Sequence, residues 1–173
     1  MIKLKLLLEG KYDYGCLMAK IDDDTAREII ELNYSLIDNK YVYKEGKEYG
    51  RSTNVHTTVK YGLTKSYSEK KMREMLRSVK PFRIKIDGIS LFENEKFDVV
   101  KLDVSGKELH ELHDQFSKLP NKDEYDEYHP HITLAYVKSG TGKKFIDKKK
   151  SFPSIKINTL EYSDRGDKTF YYL

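Results

Sequence analysis

The sequence predicts an α+β fold of two similar lobes, with antiparallel sheets facing a central groove and helices outside. Three observations lead there. Segments with strand-like apolar patterning interleave with segments of helical period along the whole chain. Each half repeats one order of elements: strand, helix, loop, then a strand opening on a histidine, His56 in the first half and His131 in the second. No linker or low-complexity stretch interrupts the 173 residues, so they are expected to form a single domain, with lobes of roughly 1–95 and 96–173.

The elements follow in order. Tyr14 to Ile21 (YGCLMAKI) is apolar-rich and reads as a strand. Asp22 to Asp24 supply N-cap chemistry for a helix over Thr25–Ile37, whose Ala26, Ile29, Ile30, Leu32 and Leu36 recur near helical spacing. Asp38 to Asn54 is polar and contains glycine, which suits an irregular loop or weak hairpin. Val55–Tyr61 is the next strand and ends at Gly62. Ser68 is placed to cap the helix SEKKMREMLRSV, which must stop before Pro81. Phe82–Phe92 and Phe97–Val104 are strands. Gly106–Leu119 is a helix with Leu109, Leu112 and Phe116 on one face, closed by Pro120. The acidic, aromatic loop NKDEYDEYHP leads to a strand over His131–Val137. GTGKK is a turn, and Ile155–Tyr162 and Thr169–Leu173 are closing strands.

Composition narrows function less. Lys and Arg number 32 against 28 Asp and Glu, a net charge of +4 that suits an anionic ligand but not a long nucleic-acid track. The one cysteine, Cys16, cannot form an internal disulfide and sits where a small buried hydrophobe is expected. The apolar run in MIKLKLLLEGKYDYG is too short for a signal sequence, and nothing approaches the roughly 20 apolar residues of a membrane span. A soluble, cytoplasmic protein without a membrane partner is expected, and no obligate protein partner is evident.

The chemistry lies in VHTTVKYGL and HPHITLAYV. Each holds His-x-Thr followed by an apolar residue, and each has a tyrosine shortly after, Tyr61 and Tyr136. Residues two apart on a strand share a face, so His56 lies with Thr58 and His131 with Thr133, while Thr57 and Ile132 point away. Two imidazoles titrate near neutrality and can supply both a base for an attacking hydroxyl and an acid for a leaving oxygen. Threonine hydroxyls can donate to the non-bridging oxygens of a phosphodiester. No cofactor is needed, and no carboxylate cluster or Cys/His quartet of metal-binding spacing is present, so no metal is assigned. His110 and His113, three apart on the predicted helix, lack a third ligand and read as a solvated face. His129, before Pro130, belongs to the loop.

Paired His-x-Thr motifs in two related lobes resemble the two-histidine (2H) phosphoesterase superfamily, which includes LigT-like RNA 2′,5′ ligases and cyclic phosphodiesterases. YDYGCLM, VHTTVKYGL and HPHITLAYVKSGTGKKF are similar to bacteriophage enzymes that cleave the cyclic di- and trinucleotide signals of the host CBASS antiphage response. The resemblance implies a LigT-like fold and a catalytic set of His56, Thr58, His131 and Thr133. It also implies a cyclic di- or trinucleotide partner whose 3′,5′ linkage is attacked by the adjacent 2′-hydroxyl without metal, in the host cytoplasm if the chain is phage-encoded. Thr57 departs from the more usual apolar middle residue, but it points away from the groove. Tyr12 and Tyr14 are candidates to stack on a base. Glu161 is a candidate to accept from a base edge, although a solvated strand glutamate is the commoner case. A cyclic phosphodiesterase or 2′,5′ ligase acting on RNA ends, and a protein that sequesters nucleotides without cleaving them, are the alternatives.

Overall fold

The computed structural model describes residues 14–46, 49–122, 127–146 and 151–173. Its elements are β1 (Gly15–Lys20), α1 (Asp23–Leu36), β2 (His56–Leu63), α2 (Glu69–Leu76), β3 (Phe82–Phe92), β4 (Phe97–Ser105), α3 (Lys107–Ser117), β5 (His131–Lys138), α4 (Lys143–Ile146), β6 (Ile155–Ile157), β7 (Thr159–Asp164) and β8 (Asp167–Tyr172). The strands make two four-stranded antiparallel sheets, ordered β2-β1-β7-β8 and β5-β4-β3-β6. This is the predicted α+β architecture of two antiparallel sheets with helices.

The sheets are not built from the two halves of the chain, however. A division near residue 95 would put β3 in the wrong lobe, because β3 pairs with β4 and β6 in the second sheet. The chain then returns, and β7 and β8 complete the first sheet beside β1. The expected single strand Ile155–Tyr162 is accordingly two strands. β6 pairs with β3 through Ile157, and after Asn158 the chain enters β7 opposite β1. Local apolar patterning marked the strand residues but carried no sign of that change of partner.

Helix boundaries follow the capping chemistry. The Asp22 carboxylate accepts from the Thr25 amide at 3.0 Å, so α1 begins at Asp23 rather than Thr25. Ser68 caps α2 through the Lys71 amide. The short α4 lies where a turn was expected. Its first turn is held by Asp98, buried in β4, whose carboxylate accepts from the Gly142 amide at 2.9 Å across 44 residues of sequence.

The helices cross over. α1 follows a strand of the first sheet but packs against β5 of the second, and α3 follows a strand of the second sheet but packs against β2 of the first. Asn33 on α1 is buried and donates to the Leu134 carbonyl in β5 at 2.6 Å. The apolar core beneath joins both lobes: Leu17, Ala19 and Val59 from one sheet, Val100, Leu102 and Leu134 from the other, with Ile29, Leu109 and Phe116 from the helices. The outer edges of β2 and β5 are paired by loops of the opposite half. Residues 120–122 line β2, where the Lys122 amide donates to Gly62. Gly62 has φ +87, and a Cβ there would stand 2.4 Å from the Lys122 carbonyl oxygen, so the approach requires glycine. Val42 and Arg51 bridge β5 in the same manner. These contacts cover β2 at Gly62 and Leu63, and β5 at Leu134, Ala135, Tyr136 and Val137.

Candidate active site

β2 and β5 run beside each other where the lobes meet. Along β2, Thr57 and Val59 are buried on the core side while His56 and Thr58 are half-buried on the other; along β5, Ile132 and Leu134 are buried while His131 and Thr133 are half-buried. The two imidazoles are close enough that the charge of His131 is felt at His56. Both rings are held alike. Nδ1 of His56 lies 2.7 Å from the Asn54 carbonyl oxygen, and Nδ1 of His131 lies 2.8 Å from that of His129. A carbonyl only accepts, so each Nδ1 carries the hydrogen, and Nε2 is left to take up or give a proton.

Burial dominates the titration of both. Desolvation pushes His56 down to about 4, aided by the Lys20 and His131 charges and opposed by the Asn54 hydrogen bond and Glu161. Desolvation likewise pushes His131 down to about 4, with Lys101 and His129 lowering it and the His129 carbonyl and Asp103 opposing. Both rings are neutral at pH 7.

The neighbouring strands add charges that the motifs did not announce. In the first sheet Lys20 is directly opposite His56, and Met18 is opposite both Thr58 and Glu161. Lys20 Nζ donates to Asn54 Oδ1 at 2.5 Å and lies 3.4 Å from Glu161. In the second sheet Asp103 is opposite His131 and Lys101 opposite Thr133. Lys101 is buried, donates to Ser90 Oγ at 2.6 Å and to Asp103, and sits 4.4 Å from the centre of the Phe92 ring. The signal for these lysines was in the sequence. Each is a charged residue inside an apolar strand, CLMAKI and DVVKLDV, where burial demands a paired partner.

The remaining candidates divide. Tyr14 is half-buried, edge-on to Tyr61 at 6.0 Å, with the Lys122 ammonium 5.7 Å from its ring. Tyr12 lies outside the described residues. Glu161 is not a solvated strand residue: it is buried to 1% exposure between Lys20 and Lys168, the latter at 3.5 Å. Its place in β7, an inner strand of the first sheet, accounts for the burial, and that sheet membership was not visible in sequence. His113 stacks on Tyr128 at 4.1 Å and 2°, while His110 meets the same ring edge-on. His113 is thus half-buried and packed, while His110 is exposed, as expected of a solvated face. Cys16 is fully buried, as expected. Among the described residues no three His, Cys, Asp or Glu side chains converge as metal ligands. No helix among them is long and apolar enough to cross a membrane.

The model of the 2′-5′ RNA ligase superfamily matches residues 22–154, a span that includes both His-x-Thr strands, and the chain belongs to that family of two-histidine phosphoesterases. Among solved structures it is similar to Usb1 of Kluyveromyces marxianus, with TM-score 0.59 and 11% identity over 94% of this chain and 99% of that one. It is also similar to E. coli LigT complexed with 3′-AMP, with TM-score 0.58 and 14% identity over 94% and 96% of the two chains. TT0787 of Thermus thermophilus gives TM-score 0.55 and 14% identity over 92% and 94%. At these identities the likeness is one of fold. Direct sequence comparison with curated proteins finds no match.

Proposed function

We propose that the protein is a metal-independent phosphodiesterase in which His56 and His131 exchange protons with the substrate while Thr58 and Thr133 bind the non-bridging phosphate oxygens. One observation carries the reading. Two imidazoles stand on the neighbouring strands β2 and β5, each fixed through Nδ1 to the carbonyl two residues before it and each sharing its strand face with a threonine. For a 3′,5′ linkage, one imidazole takes the 2′-hydroxyl proton and O2′ attacks phosphorus. The bond to O5′ breaks, and the other imidazole returns a proton to O5′. The products are a 2′,3′-cyclic phosphate and a 5′-hydroxyl. The threonine hydroxyls donate to the charge that builds on the phosphoryl oxygens.

As substrate we propose the 3′,5′-linked cyclic di- and trinucleotides that bacteria use as antiphage signals, a reading supported by the words YDYGCLM, VHTTVKYGL and HPHITLAYVKSGTGKKF. A second reading, an enzyme of RNA ends, is supported by the ligands of the fold relatives, 3′-AMP on LigT and uridine monophosphate on Usb1. The test is a chromatographic cleavage assay in EDTA with 3′,3′-cyclic GMP–AMP, a cyclic trinucleotide and an RNA bearing a 2′,3′-cyclic phosphate. Linearisation of the cyclic oligonucleotides, lost in His56→Ala and His131→Ala, supports the first reading. Opening of the RNA end alone supports the second. Tight binding without any product would leave a nucleotide-sequestering protein.

A further inference from the structure

Each histidine strand carries an irregularity just after its threonine. In β2 the pairing with β1 jumps from Thr58↔Met18 to Lys60↔Leu17, passing over Val59. In β5 the pairing with β4 jumps from Thr133↔Lys101 to Ala135↔Val100, passing over Leu134. An extra residue in one strand shifts the alternation of faces by one. Without it, Tyr61 and Tyr136, three positions beyond the threonines, would point into the core; with it, they return to the face of the histidine and threonine. Burial agrees. Val59, Lys60, Leu134 and Ala135 are buried, while Tyr61 and Tyr136 are half-buried like the motif residues. Tyr136 is opposite Val99, and Tyr136 has Phe97 at 5.4 Å and Tyr49 at 5.5 Å, both edge-on. Tyr61 has Tyr14 edge-on. Val99 and Phe97 are buried, yet neither belongs to the core cluster beneath the sheets.

We propose that Tyr61 and Tyr136 are walls of two base-binding subsites, one at the far end of each histidine strand, and that the site therefore takes a phosphodiester with a nucleobase on both sides. The position suits this. Three residues of bulged strand place each ring roughly 7–10 Å beyond its threonine, about the reach from a phosphate across its ribose to the base. Aromatic rings bind any base face, so the walls select for two bases rather than for particular ones. The subsites are unequal. One is a tyrosine pair beside the Lys122 ammonium, and the other is a four-ring group of Tyr43, Tyr49, Phe97 and Tyr136.

The inference rests on the phosphodiester reading of the same groove but is tested without turnover. The probes are cyclic di-2′-deoxyadenylate, which lacks the attacking hydroxyl, and 2′-deoxyadenosine 3′-monophosphate, which has one base; binding is measured by calorimetry. Tyr61→Leu and Tyr136→Leu are each expected to raise the Kd for the two-base probe about tenfold, and Tyr61→Phe and Tyr136→Phe to restore it. For the one-base probe, only one leucine substitution is expected to matter. In the unsubstituted protein, ring-proton signals of both tyrosines should move on adding the two-base probe, a readout independent of how the variants fold. The proposal is overturned by failure of the unsubstituted protein to bind the two-base probe, by unchanged Kd in both leucine variants, or by ring signals that do not move. Binding with these effects but no cleavage of the ribose substrate would overturn the phosphodiesterase reading and leave the two subsites standing.

Discussion

The two histidine strands are built alike and furnished differently. Each fixes its imidazole on the carbonyl two residues back, each is bulged after its threonine, and each has a lysine–carboxylate pair nearby. In the first sheet the lysine stands opposite the histidine, Lys20 beside His56, and the carboxylate is one strand further away on Glu161. In the second sheet the carboxylate stands opposite the histidine, Asp103 beside His131, and Lys101 faces Thr133. Directly opposed residues are in contact, at Cα separations of about 4.5–5.5 Å, so register decides which charge each ring meets first. Lys20 lowers His56, and at His131 the lowering by Lys101 outweighs the raising by Asp103, so a cation dominates the charges at both rings although the directly opposed residue differs.

The largest expected effect breaks both sides of this comparison together. His56→Ala or His131→Ala should each lower turnover by a factor of about 10²–10⁴ or more, with circular dichroism unchanged, because each removes one proton transfer. Thr58→Ala and Thr133→Ala should cost less, about 10² in kcat, since each deletes one donor to the phosphoryl oxygens. Wild-type turnover by a folded double histidine variant would end the two-histidine mechanism.

The pH profile follows from both rings titrating at about 4. In the proposed mechanism the working form has one ring protonated and one neutral. Above about pH 5 that form becomes scarcer as protons are lost, so kcat/KM should fall about tenfold per unit, down to the titration of other groups. A bound phosphodiester anion favours the protonated ring, so the fall in kcat should begin at higher pH. Stability runs the opposite way. A ring whose folded value lies below the ordinary 6.5 contributes stability fully above 6.5, and that contribution is lost as pH falls towards 4. A rate rising towards acid while thermal stability declines is the joint signature. A pH-independent kcat/KM between 5 and 8 would contradict it.

Asp103→Asn and Glu161→Gln sharpen the comparison itself. With its opposed carboxylate neutralised, His131 gives up its proton more readily, and the falling limb should move to lower pH, costing several-fold in rate at pH 7. Glu161→Gln acts on His56 from a strand further away and should move the limb less. Equal shifts in the two variants would mean that register does not set how strongly each carboxylate acts on its ring.

Much of this site was legible in sequence because its parts are local. The period of two along a strand put His56 with Thr58 and His131 with Thr133 without knowledge of any partner strand. Asp22 and Ser68 announced their helices by side-chain chemistry alone. What the sequence left hidden depends on who pairs with whom. Ile155–Tyr162 is a continuous strand pattern divided between two sheets, and Glu161 is buried only because β7 lies inside the first sheet. The roles of Lys20 and Asp103 exist only in cross-strand register, and Asp98 caps a helix from 44 residues away. Pairing over such separations is a tertiary property that no local period encodes.

The smallest effect concerns how the lobes are joined. Tyr128, just before β5, donates its hydroxyl to the Thr58 carbonyl in β2 at 2.8 Å, while its ring is stacked on His113 of α3. The bond ties the approach to one histidine strand to the backbone of the other, behind the groove face. Burial holds the Tyr128 hydroxyl far above the usual tyrosine range, so it stays a donor at any working pH. Tyr128→Phe removes the bond and keeps the stack. It should cost about 1 kcal/mol and lower Tm by about 2–4 °C, with kcat/KM within about twofold of wild type. A large loss of activity at unchanged Tm would show instead that the strand positions at the lobe junction depend on this one bond, and the two strands would then have to be treated as one coupled unit.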